Sequence, residues 1–196
     1  MEPFTKIKSI ATPLDKVNVD TDQIVPKQFL KLIQKTGFGQ YLFYDWRYDR
    51  DGTPRKDFVL NDSKYKGSKI LLARNNFGCG SSREHAAWAI LDFGFRVVIS
   101  TSFADIFYNN CFKNGILPIT VDENTLQKLF ETKYEIEVDL EKQSIKTSDT
   151  IVSFHIELHW KKILLEGLDD IAVTLMHNDE ISKYENSHKI SEPKSF

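Results

Sequence analysis

Residues 70–99 read ILLARNNFGCGSSREHAAWAILDFGFRVVI, and the order of elements in that stretch decides the fold class. Ile70-Leu71-Leu72-Ala73 is a continuous apolar run, the pattern of a strand covered on both faces. A loop follows, Arg74 to Ser82, with two glycines. From Arg83 to Phe93 the apolar residues Ala86, Ala87, Ile90 and Leu91 recur at helical spacing, and Gly94 supplies a stop. Val97-Val98-Ile99 is a second buried strand. Phe103 to Phe112 predicts a helix stopped near Gly115, and Ile116 to Val121 a third strand. Strand, helix, strand, helix, strand is the order of an α/β layer structure.

On the N-terminal side, Val17 to Asp22 reads as a short strand running into an Asx-rich turn before Pro26. Phe29 to Gln34 starts a helix that Gly37 and Gly39 end, and Asp49 to Arg55 is a charged loop. On the C-terminal side, Asp122 to Phe130 reads as a capped helix. Tyr134 to Leu140 alternates polar and apolar, as a strand with one exposed face does, and Ser153 to Leu158 is a further strand. Trp160 to Met176 reads as one helix, with Ile163, Leu164, Leu168, Ile171 and Leu175 on one face. The expected organisation is one domain, residues 1–184, with a C-terminal helical extension, then a polar, disordered tail over 185–196.

Composition narrows the function classes. The chain has 196 residues, 41% of them hydrophobic, enough for a real core. A formal net charge of -2 argues against a nucleic-acid binder. No apolar run approaches the roughly 18 residues of a membrane span. The N-terminal MEPFTKIKSI lacks the apolar stretch of a secretory signal. Two cysteines, Cys79 and Cys111, make a poor disulfide framework and suit a reducing compartment. The expected location is cytoplasmic.

The chemistry concentrates in Gly78-Cys79-Gly80-Ser81-Ser82-Arg83-Glu84-His85. The two glycines allow backbone conformations that turn several N–H groups toward one point. Ser81 or Ser82 suits the N-cap of the following helix. Orphan N–H groups and the helix dipole attract anions there, and Arg83 adds a planar fork for a carboxylate. Two readings stand at this point: a helix cap with no further role, and a carboxylate or phosphate cradle with a hydroxyl at its centre. The segment lacks the Gly-Lys-Ser/Thr ending of a Walker loop and the G-x-S-x-G flank of a nucleophile elbow. Asp20 and Asp22 read as turn and cap residues in preference to a carboxylate pair for acid/base work, and Trp46, Trp88 and Trp160 as packing or interface residues. His155 and His159 are four apart in a stretch that alternates like a strand, which does not suit a metal site.

Gly78 to Ala86 resembles the signature of the aconitase swivel domain, and Asn18-Val19-Asp20-Thr21-Asp22-Gln23-Ile24-Val25-Pro26 matches a second hallmark of that superfamily. Gln28-Phe29-Leu30, Thr36 to Gly39, Phe43 to Tyr48 and Asn109 to Pro118 resemble the bacterial small subunits of the 3-isopropylmalate dehydratase family. The likeness covers about residues 1–180.

The resemblance implies an α/β fold of the aconitase swivelling type, in three layers, β/β/α. It implies a hydro-lyase of leucine biosynthesis that interconverts 2-isopropylmalate and 3-isopropylmalate through isopropylmaleate. Such a chain works only with a large subunit, as a heterodimer, and it is the large subunit that carries a [4Fe-4S] cluster. No metal or cofactor is expected on this chain, because a cubane cluster needs three or four thiolates and Cys79 and Cys111 are far apart in sequence. By match to the motif, Ser81 is the expected base, and Ser82 and Arg83 bind substrate carboxylate. The loop Phe29-Leu30-Lys31-Leu32 falls where the family reads the substrate side group, and a second reading makes Phe29, Leu30, Leu32 and Ile33 simply core residues. There Leu32 suits an isopropyl group, while Lys31 would suit a third carboxylate. His85 is expected to be structural, and Glu84 to favour the positive end of the helix.

Overall fold

A computed structural model describes residues 1–31 and 36–188 of the chain. Strands β2 (Ala11–Leu14), β3 (Ile70–Ala73), β4 (Val97–Ser100) and β5 (Leu117–Thr120) form a parallel sheet in that spatial order. The register pairs Ala11 with Ile70, Ile70 with Val97 and Val97 with Leu117. The two central strands, β3 and β4, are buried along their whole length, as their unbroken apolar runs require.

Successive residues of these strands point into two different cores. Leu14, Leu71, Ala73 and Val98 face a helical layer that contributes Ala86, Ala87, Ala89 and Ile90 of α3 (His85–Phe93). Phe107 and Cys111 of α4 (Asp105–Lys113) complete that side. On the opposite face, Ile70, Leu72, Val97, Ile99, Leu117 and Ile119 pack on a second sheet. That sheet is antiparallel, with spatial order β1 (Lys6–Ser9), β6 (Ile136–Asp139), β7 (Ser144–Lys146), β8 (Ile151–Ser153). Ile136, Val138 and Ile145 fill the space between the sheets, with Leu126 and Leu129 of α5 (Glu123–Glu131) and Leu164 of α6 (Leu158–Glu166) at its borders. The layers are therefore helix, parallel sheet, antiparallel sheet, which is the α/β swivel arrangement in three layers.

Buried polar groups in the second sheet are paired. Asp139, 5% exposed, accepts from the Lys142 amide at 2.9 Å and meets Lys6 Nζ at 3.1 Å across the β1–β6 pair. Those partners hold its carboxyl below the usual range, the Lys142 amide contributing most.

Several sequence expectations need correction. In place of a strand at Val17 to Asp22 there is a bend, a left-handed Asn18 and a single bridge residue, Asp20, which caps α1 (Thr21–Ile24). No α-helix starts at Phe29: a 3-10 turn over Lys27–Phe29 ends in a turn at Leu30 and Lys31, and Leu32 lies outside the described residues. The strand expected at Ser153 to Leu158 lies earlier, at β8, and the segment behind it is irregular up to α6. The helix expected over Trp160 to Met176 is two helices. Left-handed Gly167 ends α6, and Asp169 caps α7 (Asp170–Leu175) by accepting from the Ala172 amide at 2.8 Å. A further helix, α8 (Asn178–Ser187), continues through Glu185, and the tail from 189 onward lies outside the described residues. Among the described residues no helix is long and apolar enough to cross a membrane.

The segment before α2 (Tyr44–Arg47) is tied to the helical layer through one carboxylate. Asp92 Oδ2, on α3, accepts from the amides of Gly37 at 3.1 Å and Gly39 at 2.7 Å. Replacing Asp92 with alanine removes two charge-assisted bonds at a site open to water. The expected loss is about 1 kcal/mol of stability in chemical denaturation. Hydrogen exchange should rise at Gly37 and Gly39 while β3 and β4 stay protected.

Candidate active site

The distinctive loop lies at the carboxyl ends of the parallel strands, the edge where open α/β sheets bind ligands. The chain leaves β3 at Ala73, bulges through Arg74 to Asn76, and then resumes pairing. Phe77 bridges Phe103 and Cys79 bridges Asp20, both in parallel sense. The Gly78 amide donates to the Val19 carbonyl at 2.8 Å, and the Thr21 amide to the Cys79 carbonyl at 2.9 Å. On the other flank the Phe77 amide donates to Ser102 O at 3.1 Å and the Ala104 amide to Phe77 O at 3.1 Å. The bulge is stitched as well: Asn76 Nδ2 donates to Asn18 Oδ1 at 2.9 Å, and buried Ser100 donates to the Arg74 carbonyl at 2.7 Å.

Beyond this ladder the loop rises to the surface. Gly78 and Gly80 take φ of 78° and 91°, conformations that a side chain disfavours. Gly78 is also constrained sterically, since a Cβ there would lie 2.1 Å from Phe107 Cγ. Ser81 and Ser82 are exposed. The Ser81 amide donates to buried Thr21 Oγ1 at 3.1 Å, and that hydroxyl donates back to the Ser81 carbonyl at 3.2 Å. Among the described residues no acceptor meets the amides of Gly80, Ser82 or Arg83. These three remain available to an anion, and the Ser81 amide does not.

The cap expectation fails. α3 begins at His85, its N-cap is Glu84, and no side chain caps it. Ser81 is pinned by Thr21, and the Ser82 carbonyl accepts from Asn110 at 3.5 Å, so both serines stand ahead of the helix rather than on its first turn. Glu84 accepts from Asn114 Nδ2 at 2.8 Å. Asn110 and Asn114, on and just after α4, thus support the loop from behind, a part that sequence reading did not assign. Their only sequence signal is the Asn109 to Pro118 motif.

Arg83 stands beside the serines with its side chain 24% exposed and its guanidinium paired to Asp22 Oδ1. Asp20 does act as a cap: its Oδ1 accepts from the Gln23 amide at 2.7 Å, and Gln23 Oε1 accepts from the Asp20 amide at 3.0 Å. Burial, then the nearby Asp20 charge, pushes the Cys79 thiol up, so it is protonated at neutral pH. Cys111 is fully buried in α4. His85 packs between Phe38 and Trp88, with ring centroids at 5.2 and 4.5 Å. Burial lowers its pKa; Glu84 opposes that shift and Arg83 adds to it.

Phe29 stacks on Tyr41 with centroids 4.0 Å apart and meets the edge of Tyr44 at 4.8 Å. Leu30 packs half-buried beside it, and Lys31 is exposed. Their link to the serine loop runs through Tyr41, Phe38 and His85. Among the described residues no hydrogen bond or ring contact joins Phe29, Leu30 or Lys31 directly to residues 81–83. The serine loop therefore sits on an open surface. A cavity of about 800 Å³ lies elsewhere, against Met1 to Ile7, Trp88 and Arg96. Among the described residues no group of three or more His, Cys, Asp or Glu is arranged to hold a metal ion, and His155 and His159 form no such group.

Residues 1–124 match the family model described as the aconitase C-terminal domain. The 3-isopropylmalate dehydratase small subunit of Brevibacillus brevis is 54% identical over 191 residues, which cover 94% of this chain and 98% of that one. The protein of the same name from Bacillus pumilus is 53% identical over 191 residues, covering 95% and 96%. The crystal structure of 3-isopropylmalate dehydratase from Methanocaldococcus jannaschii superposes with a TM-score of 0.66 at 26% identity, covering 91% of this chain and 99% of that one.

Two outcomes follow from the loop's construction. Gly78→Ala places a methyl inside the Phe107 ring at a left-handed position. It should cost about 3 kcal/mol or more in equilibrium unfolding. His85, with its lowered pKa, binds fewer protons folded than unfolded. It therefore has no effect on stability above about pH 6.5 and destabilises the chain as pH falls below that value. His85→Gln should flatten the loss of Tm between about pH 7 and pH 5 relative to the wild type.

Proposed function

We propose, for a chain that belongs to the family of 3-isopropylmalate dehydratase small subunits within the aconitase superfamily, that its Gly78–Arg83 loop is one half of a dehydratase active site. The chain is the small subunit of a hydro-lyase that interconverts 2-isopropylmalate and 3-isopropylmalate through isopropylmaleate in leucine biosynthesis. The observation that carries the reading is the loop itself. Two exposed serines and a half-buried arginine stand on a hydrogen-bonded ladder at the carboxyl edge of the sheet, and both serines are open to solvent among the described residues.

The other half belongs to a large subunit, with which this chain forms a heterodimer. The [4Fe-4S] cluster that the family implies does not fit this chain. One thiol is buried in a helix core, and among the described residues the two do not converge with further donors. The cluster is assigned to the large subunit, where it would act as Lewis acid.

On this side of the site Ser81 Oγ is the base that takes the carbon-bound proton. A serine oxygen serves as a base only where its negative charge is stabilised. The open amides of Gly80, Ser82 and Arg83 and the Arg83 guanidinium supply positive potential at that place. Ser82 Oγ and Arg83 hold substrate carboxylate. Asp22 occupies the Arg83 fork in the chain alone, so a carboxylate entering the site shares or replaces that partner. Phe29, Leu30, Lys31 and Leu32 read the substrate side group. The stacked Phe29 and half-buried Leu30 present apolar surface of the kind an isopropyl group matches. His85, neutral and wedged between rings, has a structural part.

Ser81→Ala in the assembled two-chain enzyme should abolish turnover of 2-isopropylmalate, a loss of at least about 1,000-fold, with subunit association unchanged by size-exclusion chromatography. Turnover within a few-fold of wild type would rule out Ser81 as the base.

A further inference from the structure

Thr21 is 2% exposed, and its hydroxyl spends both of its hydrogen-bonding functions on one residue far along the chain. Oγ1 accepts from the Ser81 amide at 3.1 Å and donates to the Ser81 carbonyl at 3.2 Å. The threonine is itself fixed on every side. Its amide donates to the Cys79 carbonyl at 2.9 Å, the Asp20–Gln23 capping box closes the turn it starts, and its β-branched side chain has little χ1 freedom. The loop is shaped to meet it. Gly80 has φ of 91°, and a Cβ there would lie 3.4 Å from Asp20 Cβ and 3.6 Å from Thr21 Oγ1. A glycine at this point lets the Ser81 backbone approach the threonine while its side chain stays at the surface.

We infer that Thr21 is a positioning residue for the reaction. Its hydroxyl fixes both backbone polar groups of Ser81, and so the direction in which Ser81 Oγ leaves the backbone, without touching substrate. The inference rests on the assignment of Ser81 as base. It also assigns a division of labour within Asp20-Thr21-Asp22: the first residue caps, the second orients Ser81, and the third holds Arg83.

The test compares Thr21→Val, which keeps the shape and loses the hydroxyl, with Thr21→Ser, which keeps the hydroxyl. Each is assembled with the iron-sulfur large subunit and assayed on 2-isopropylmalate. Misorientation of a reacting group costs up to on the order of 100-fold in rate. Thr21→Val should therefore lose about 10- to 100-fold in kcat with KM within about twofold, and Thr21→Ser should recover most of it. An unimpaired valine variant, a change confined to KM, or equal losses in both variants would overturn the inference. If the valine variant fails to assemble, hydrogen exchange of the Ser81 amide in the wild-type and Thr21→Ser chains decides. Slow exchange in both supports the clamp, and fast exchange in either contradicts it. An inactive wild-type pair removes the base assignment and this inference together. An active pair with an unimpaired valine variant removes this inference alone.

Discussion

The short parallel ladder made by Phe77 to Cys79, with Val19 to Thr21 on one flank and Ser102 to Ala104 on the other, is the constraint on which the site depends. A loop of glycines and serines has high conformational entropy and no apolar side chains to hold it. Here its root is locked by backbone hydrogen bonds to two other strand-end segments, and Phe77 anchors it in the core against Phe103 and Phe107. The three segments come from widely separated parts of the chain and meet only because β2, β3 and β4 are adjacent and parallel. The sheet thus does for the reactive loop what no local sequence preference would do.

Rigidity below and openness above suit a shared active site. Ser81 and Ser82 are exposed, Arg83 is tied to Asp22, and the aromatic cluster at Phe29 to Tyr44 flanks the loop through Phe38 and His85. A catalytic surface left open to water would screen the positive potential that a serine base needs. A second subunit that excludes water would strengthen the same Arg83 and amide dipoles without moving them.

Much of the fold was legible in the sequence, because the apolar runs at Ile70 to Ala73 and Val97 to Ile99 and the helical spacing of Ala86 to Leu91 are what a doubly covered parallel sheet demands. Errors gathered where short-range signals compete with tertiary contacts. A long apolar periodicity hid the break at Gly167, and alternation in 153–158 imitated a strand although the pairing partners lie at 151–153. The serine loop was found by its residues, yet its cap reading failed, because Thr21 and Asn110 claim the backbone groups that a cap would leave for the helix. Thr21 itself was not legible: a threonine between two aspartates carries no sign that its hydroxyl is destined for a residue sixty positions away.

A chain that supplies half of a dehydratase site gains its activity on anaerobic reconstitution with the other half. The chain is mixed with an iron-sulfur large subunit of the family, and conversion of 2-isopropylmalate is followed beside citrate and homocitrate as competing acids. Neither chain alone should turn over substrate, and the pair should, with preference for 2-isopropylmalate. Failure of the pair to associate or to convert any of these acids, under conditions where a matched pair of the family is active, would contradict it.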